Sequence, residues 1–202
     1  MNRERLIGTA KKLDKLLKAI QIVNCAAVVL LVCGFILLNI AHWITPYNVN
    51  TAESLKITMG EFTLELAGAA VMALDLSYGL VNCILAVVLL MILWIGLGYA
   101  RKIMSQMMEG NPFDRSVGVY LKKLGIAALI YGIAENVGAW MMTSVKMNHY
   151  QLERLVDGEK ILSVTPEYQL ELGFLVVFFV FLLASYIFHY GAELQQLSDE
   201  TL

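Results

Sequence analysis

The chain has 202 residues, 58% of them hydrophobic and 16% charged, with a net charge of -2 and a mean hydropathy of +0.66. Soluble domains carry roughly 45 to 50% apolar residues, so this composition argues against a soluble domain and for the bilayer as solvent. The charges fall in blocks between long apolar runs, so their positions say more about topology than their near-zero sum says about partners. Three cysteines, Cys25, Cys33 and Cys83, lie inside apolar runs without a CxxC pair, which gives no disulfide framework and reads as small buried apolar residues.

In chain order, residues 1–19 form a basic amphipathic segment. Leu6, Ala10, Leu13, Leu17 and Ile20 share one helical face, while Arg3, Arg5, Lys11, Lys12, Lys15 and Lys18 cover the rest. Such a helix would lie on an anionic leaflet, or serve as a basic topology signal with snorkelling stems. The apolar stretch behind it is too long for a signal peptide and lacks a small-x-small cleavage site, so it is expected to stay as an anchor.

Four apolar runs follow, at about 20–42, 76–99, 120–142 and 172–190. At about 1.5 Å per residue each covers or nearly covers the hydrocarbon core, which predicts four spans in one all-α membrane domain over 1–202, a four-transmembrane-helix bundle. Lys and Arg number six before the first span, one in the loop after it, five around the second turn, three in the third loop and none after Tyr190. Eleven against four predicts both termini and the central turn in the cytoplasm, with loops 43–75 and 143–171 outside.

The first outer loop alternates apolar and polar residues over Leu55 to Leu66 around Gly60-Glu61, which predicts a β-hairpin. The other outer loop carries Asp157-Gly158 and then Tyr168-Gln169-Leu170-Glu171-Leu172, which parallels Phe62-Thr63-Leu64-Glu65-Leu66. A repeat of helix, β element and returning helix would let two hairpins cap the bundle. Between spans two and three, in the hairpin 100–119, Gly110 suits a left-handed helix-closing residue, Asn111 an N-cap and Pro112 the first helical position. This helical hairpin should project two to three turns beyond the membrane, with Met104, Met107, Met108 and Phe113 packing it onto itself or offering a docking surface.

Polar groups are costly in hydrocarbon, so their positions point towards function. On span three Gly118, Gly125, Ala128, Gly132, Glu135 and Ala139 form a small-residue seam, which turns Glu135 towards the bundle interior. Asp75, Gly79, Asn82 and Ala86 form a comparable stripe on span two, and Asn39 and His42 share a face of span one. Glu135, its neighbour Asn136, Asn82, Asn39, Asp75 and His42 are therefore candidates to bind an ion, a proton or a small polar or cationic ligand. The alternative is interhelical hydrogen-bond glue, which accounts for the asparagines more simply and for Glu135 equally well. His189 reads as an interfacial histidine, and His149 falls in an outer loop. No HExxH, GxSxG, Walker loop, dinucleotide fingerprint or paired-cysteine motif occurs, so no enzyme, cofactor or metal site is expected.

The Gly110-Asn111-Pro112-Phe113 turn and the ending Tyr190-Gly191-Ala192-Glu193-Leu194-Gln195-Gln196-Leu197-Ser198-Asp199-Glu200-Thr201-Leu202 resemble bacterial four-span proteins catalogued as family 2975 of the domains of unknown function. The resemblance implies a bacterial inner-membrane protein, often encoded beside a small helix-turn-helix regulator of the Xre type. It carries no established activity. The tail 191–202 has three acidic residues, Glu193, Asp199 and Glu200, and no basic one, so it would hold a basic DNA-binding domain by complementary charge. With the turn residues Gly110, Asn111, Pro112 and Phe113 it makes up the expected partner surface. Two functions are carried forward: a non-enzymatic sensor or regulator, and a small, oligomeric proton-coupled transporter or efflux component using Glu135.

Overall fold

The computed structural model describes residues 3–44, 55–59, 62–66, 76–149 and 170–200. Four helices account for most of them: α1 Arg3–Ile44, α2 Leu76–Met108, α3 Arg115–His149 and α4 Gly173–Glu200. All four are long and apolar enough to cross a membrane, which makes this a multi-pass membrane protein. With 42, 33, 35 and 28 residues, they are longer than the roughly 20 needed to span a bilayer.

The overhang changes two expectations. The basic N-terminal segment is not a separate helix lying along a leaflet; it continues into α1 without a break. Arg101 on α2 reaches Asp14 there through Nε at 3.0 Å, which ties the segment to the neighbouring helix. His149, expected in a loop, is the last residue of α3.

Strands β1 Leu55–Met59 and β2 Phe62–Leu66 pair antiparallel, with Leu55 opposite Leu66 and Met59 opposite Phe62. Among the described residues they pack against no helix, so the expected cap over the bundle is not formed by this pair. The second expected hairpin, around Asp157-Gly158, and Asp75 lie outside the described residues.

Helix packing follows chain order: α1 on α2, α2 on α3 and α3 on α4, with no other helix pair in contact among the described residues. The bundle is therefore an open row and not a closed core. Few side chains are buried; Ala10, Ile103, Val117 and Ala127 are the apolar ones, and Asn24 is the polar one, among the described residues. Large apolar side chains such as Leu30 and Leu183 stay exposed along the spans. Water would penalise that surface, whereas lipid tails solvate it and supply no hydrophobic force to close the row. Cys25 and Cys33 are exposed for the same reason, contrary to the burial expected from their apolar surroundings.

Contact forms where small residues let backbones approach. A Cβ built on Gly118 would lie 3.1 Å from the Ser185 carbonyl oxygen, one on Gly125 3.0 Å from Phe181 Cβ, and one on Gly132 would overlap Phe174. These three glycines recur every seven residues and all face α4. Gly138 and Gly96 make the corresponding approach to α2 and from α2, against Leu85 and Leu124. The antiparallel row puts the start of α1, the α2–α3 turn and the end of α4 together, at what is here termed the turn end.

Candidate functional site

Two regions collect the residues expected to carry function. The first is a groove of about 390 Å³ whose floor is α3 and whose walls are α2 and α4, lined by Leu93, Leu97, Ala128, Tyr131, Glu135 and Phe174 among others. Glu135 is the one charged side chain in that lining, and Tyr131 stands one helical turn away. On α3 the seam glycines face α4, while Glu135 and Ala128 sit between the two walls. Glu135 lines an open groove and is exposed there, where the sequence places it in the bundle interior, because the row does not close.

The other polar candidates do not assemble around it. Asn39 donates to its own helix, to the Phe35 carbonyl at 2.7 Å, and α1 does not reach α3. Asn82 is exposed on α2 and is not part of the groove lining. His42 is near the end of α1, a helix that has no contact with α3. Asn136 fastens the entry of α4 to α3. Its Nδ2 donates to the Gly132 carbonyl at 2.8 Å and to the Glu171 carbonyl at 3.0 Å, and its Oδ1 accepts from the Glu171 N–H at 3.0 Å.

The second region is at the turn end. Gly110 has φ 83°, the left-handed value a helix-closing glycine supplies. Its N–H donates to the Met107 carbonyl and the Asn111 N–H to the Gln106 carbonyl, which together make a Schellman motif closing α2. The expected N-cap moves: Asp114, not Asn111, caps α3, with the Ser116 N–H donating to Asp114 Oδ1 at 2.7 Å and α3 starting at Arg115. The Ser116 hydroxyl and backbone N–H hold the Asp114 carboxyl below the usual carboxylate range. Asn111 and Pro112 instead occupy the link between the two caps, because an aspartate next to the first helical residue is the better acceptor for the free N–H groups.

Phe113 packs on α4, 5.7 Å from Phe188 between ring centroids and against Gly191. Beside it a depression of about 430 Å³ is lined by Asn111, Phe113, Asp114, Arg115, Gln195, Gln196 and Glu200. Two segments some eighty residues apart in sequence, the turn and the tail, thus share one surface. The tail is not a loose extension: Glu193 and Glu200 are exposed on the last turns of α4, where Glu200 accepts from Gln196 at 3.0 Å, and Asp199 belongs to the same helix. Met104, Met107 and Met108 are half-buried.

Residues not singled out by sequence join α1 to α2. Arg101 donates from Nε to Asp14 and from Nη1 to Gln21 Oε1, both at 3.0 Å, and Gln21 Nε2 donates to the Trp94 carbonyl at 3.4 Å. Asn24 is 6% exposed, with its Nδ2 unpaired. Ala10, Asp14, Leu17, Gln21 and Asn24 follow a four-three spacing, a seam that mixes polar with apolar residues and so escapes a search for hydrophobic faces. No group of three His, Cys, Asp or Glu side chains could hold a metal among the described residues. No family model, no curated protein and no solved structure matches this chain.

Proposed function

We propose that this chain is a non-enzymatic membrane regulator, set in a bacterial inner membrane with its turn end in the cytoplasm, which presents the turn and the tail helix to a small helix-turn-helix partner. The observation that carries this reading is the convergence of Asn111 and Phe113 with Gln195, Gln196 and Glu200 on one surface. Those are the two segments on which the resemblance to family 2975 rests. Glu193, Asp199 and Glu200 make the tail acidic, which suits a basic DNA-binding domain. The eleven-to-four bias of Lys and Arg supports the orientation.

In this reading the Glu135 groove is the input. α4 is fixed to α3 near the groove by Asn136 and to the α2–α3 turn by Phe113, so a ligand seated between the α2 and α4 walls would act on helices whose far ends carry the turn surface. An apolar groove holding one carboxylate suits a lipophilic cation. The test is removal of Ser198 to Leu202 in cells carrying the co-encoded regulator. Loss of membrane capture of that regulator and altered transcription of its target are expected; unchanged capture and transcription refute the partner surface.

A second reading is favoured by the same carboxylate. Glu135 lies at membrane depth and is the one ionisable group in the groove apart from Tyr131, which suits a proton-coupled transporter. Glu135→Gln in proteoliposomes separates the two: abolished proton or substrate flux gives the transporter reading priority, and intact flux or none in the wild type leaves the regulator.

A further inference from the structure

On the face of the α2–α3 pair that does not form the groove, two lysines converge on tyrosine rings. Lys102 Nζ stands 5.8 Å from the Tyr99 ring centroid and 5.5 Å from that of Tyr120, and Lys123 Nζ stands 5.8 Å from the same Tyr99 ring. Tyr99 and Tyr120 are the residues at which the apolar runs of spans two and three end and begin. Aromatic rings at that level mark the headgroup boundary. Lys123 is one turn further into the span, so its ammonium reaches back to the boundary along its own stem.

No carboxylate among the described residues neutralises the charge there. Among the described residues neither lysine pairs with a carboxylate, and Arg101, the chain neighbour of Lys102, is already committed to Asp14. Two ammonium groups sharing one ring at the edge of hydrocarbon repel each other and need an anion. Below them the surface is apolar. Seven-residue steps from Lys102 reach Ile95 and Val88, and the same steps from Lys123 reach Ile130 and Val137, all four exposed on the lysines' own helix faces. That is a two-lane apolar track running into the bilayer from a basic, hydroxyl-bearing head.

We infer that this face is a binding site for an anionic phospholipid, with the phosphate held between Lys102 and Lys123, the Tyr99 and Tyr120 rings flanking it, and the acyl chains lying along Ile95, Val88, Ile130 and Val137. The site is separate from the Glu135 groove, whose lining includes none of these residues. It fits the headgroup level of the leaflet at the turn end.

The test is native mass spectrometry of the full chain released from detergent after incubation with phosphatidylglycerol or phosphatidylcholine. The wild type retains phosphatidylglycerol selectively. Each lysine contributes roughly fivefold to that preference and the pair about thirtyfold, so Lys102→Gln/Lys123→Gln should abolish most of it. Lys12→Gln/Lys15→Gln, which removes the same charge from α1, and Lys102→Arg/Lys123→Arg, which keeps it in place, should leave the preference intact. Should the double glutamine variant not fold by circular dichroism, Lys123→Gln alone must show the fivefold loss. Retained preference in the glutamine variants, equal loss in the α1 control, or displacement of the lipid by millimolar inorganic phosphate would each overturn the assignment.

Discussion

Replacing Gly132 by alanine tests the packing of the row most directly. A Cβ at this position would overlap Phe174 at its Cβ and Cγ, and although Cγ can turn away about χ1, Cβ moves only if the backbone of α4 moves. That backbone is pinned one turn away by the Asn136 bonds to Glu171 at 3.0 Å, so α4 cannot slide aside freely. Overpacking costs about 1 to 3 kcal/mol, and so stiff a site belongs near the upper figure. The alanine returns roughly 0.5 to 1 kcal/mol through its helix preference. The net expectation is a loss of about 2 kcal/mol, close to thirtyfold in the folded-to-unfolded ratio. Gly34→Ala is the matched control, since nothing lies within 4 Å of a Cβ there and only the helix gain remains. Unfolding in mixed micelles with increasing dodecyl sulfate, followed by the fluorescence of the three tryptophans, reads both. A Gly132→Ala midpoint at or above wild type would refute the close α3–α4 contact.

Further outcomes follow from the two ends of that contact. Asn136→Leu removes both bonds to the Glu171 backbone; with side-chain bonds in membranes averaging about 0.6 kcal/mol, a loss near 1 kcal/mol is expected, together with faster hydrogen exchange at the Glu171 amide. Asp114→Ala removes the cap of α3 and should cost about 1 kcal/mol at neutral pH. Because the folded carboxyl titrates below its ordinary value of 3.8, the ionised cap's contribution is complete above that value and lost as pH falls through the lower folded value. The difference between wild type and Asp114→Ala, measured by hydrogen exchange at the Ser116 amide, should therefore hold from pH 7 to 5 and narrow in stronger acid. A gap that did not narrow would show that the side-chain charge is not what caps the helix.

Much of the turn end is legible in the sequence. Gly110 supplies the positive φ that Glu109 could not adopt without strain, and a glycine between two apolar runs signals that. The N-cap lies three residues beyond the expected one because Asn111 and Asp114 are both good caps, and the choice depends on which backbone N–H groups are left free once α2 has closed. The depression shared by the turn and the tail is not legible at all, since it needs α4 to lie along α3 with Phe113 against Gly191.

The sequence alone determined that there are four apolar runs long enough to cross a membrane as helices, because twenty consecutive apolar residues have few other stable fates, and it placed Gly118, Gly125 and Gly132 on a small-residue seam that α3 uses against α4. Only the tertiary structure decided that the helices pack as an open row, that Glu135 opens into a groove instead of joining Asn39 and Asn82, and that Arg101 reaches Asp14 across 87 positions. The physical reason is the solvent. In water, the apolar face of a helix tells which side is buried; in lipid every face is apolar, so packing depends on small residues and on polar partners far apart in the chain, which a linear pattern does not pair.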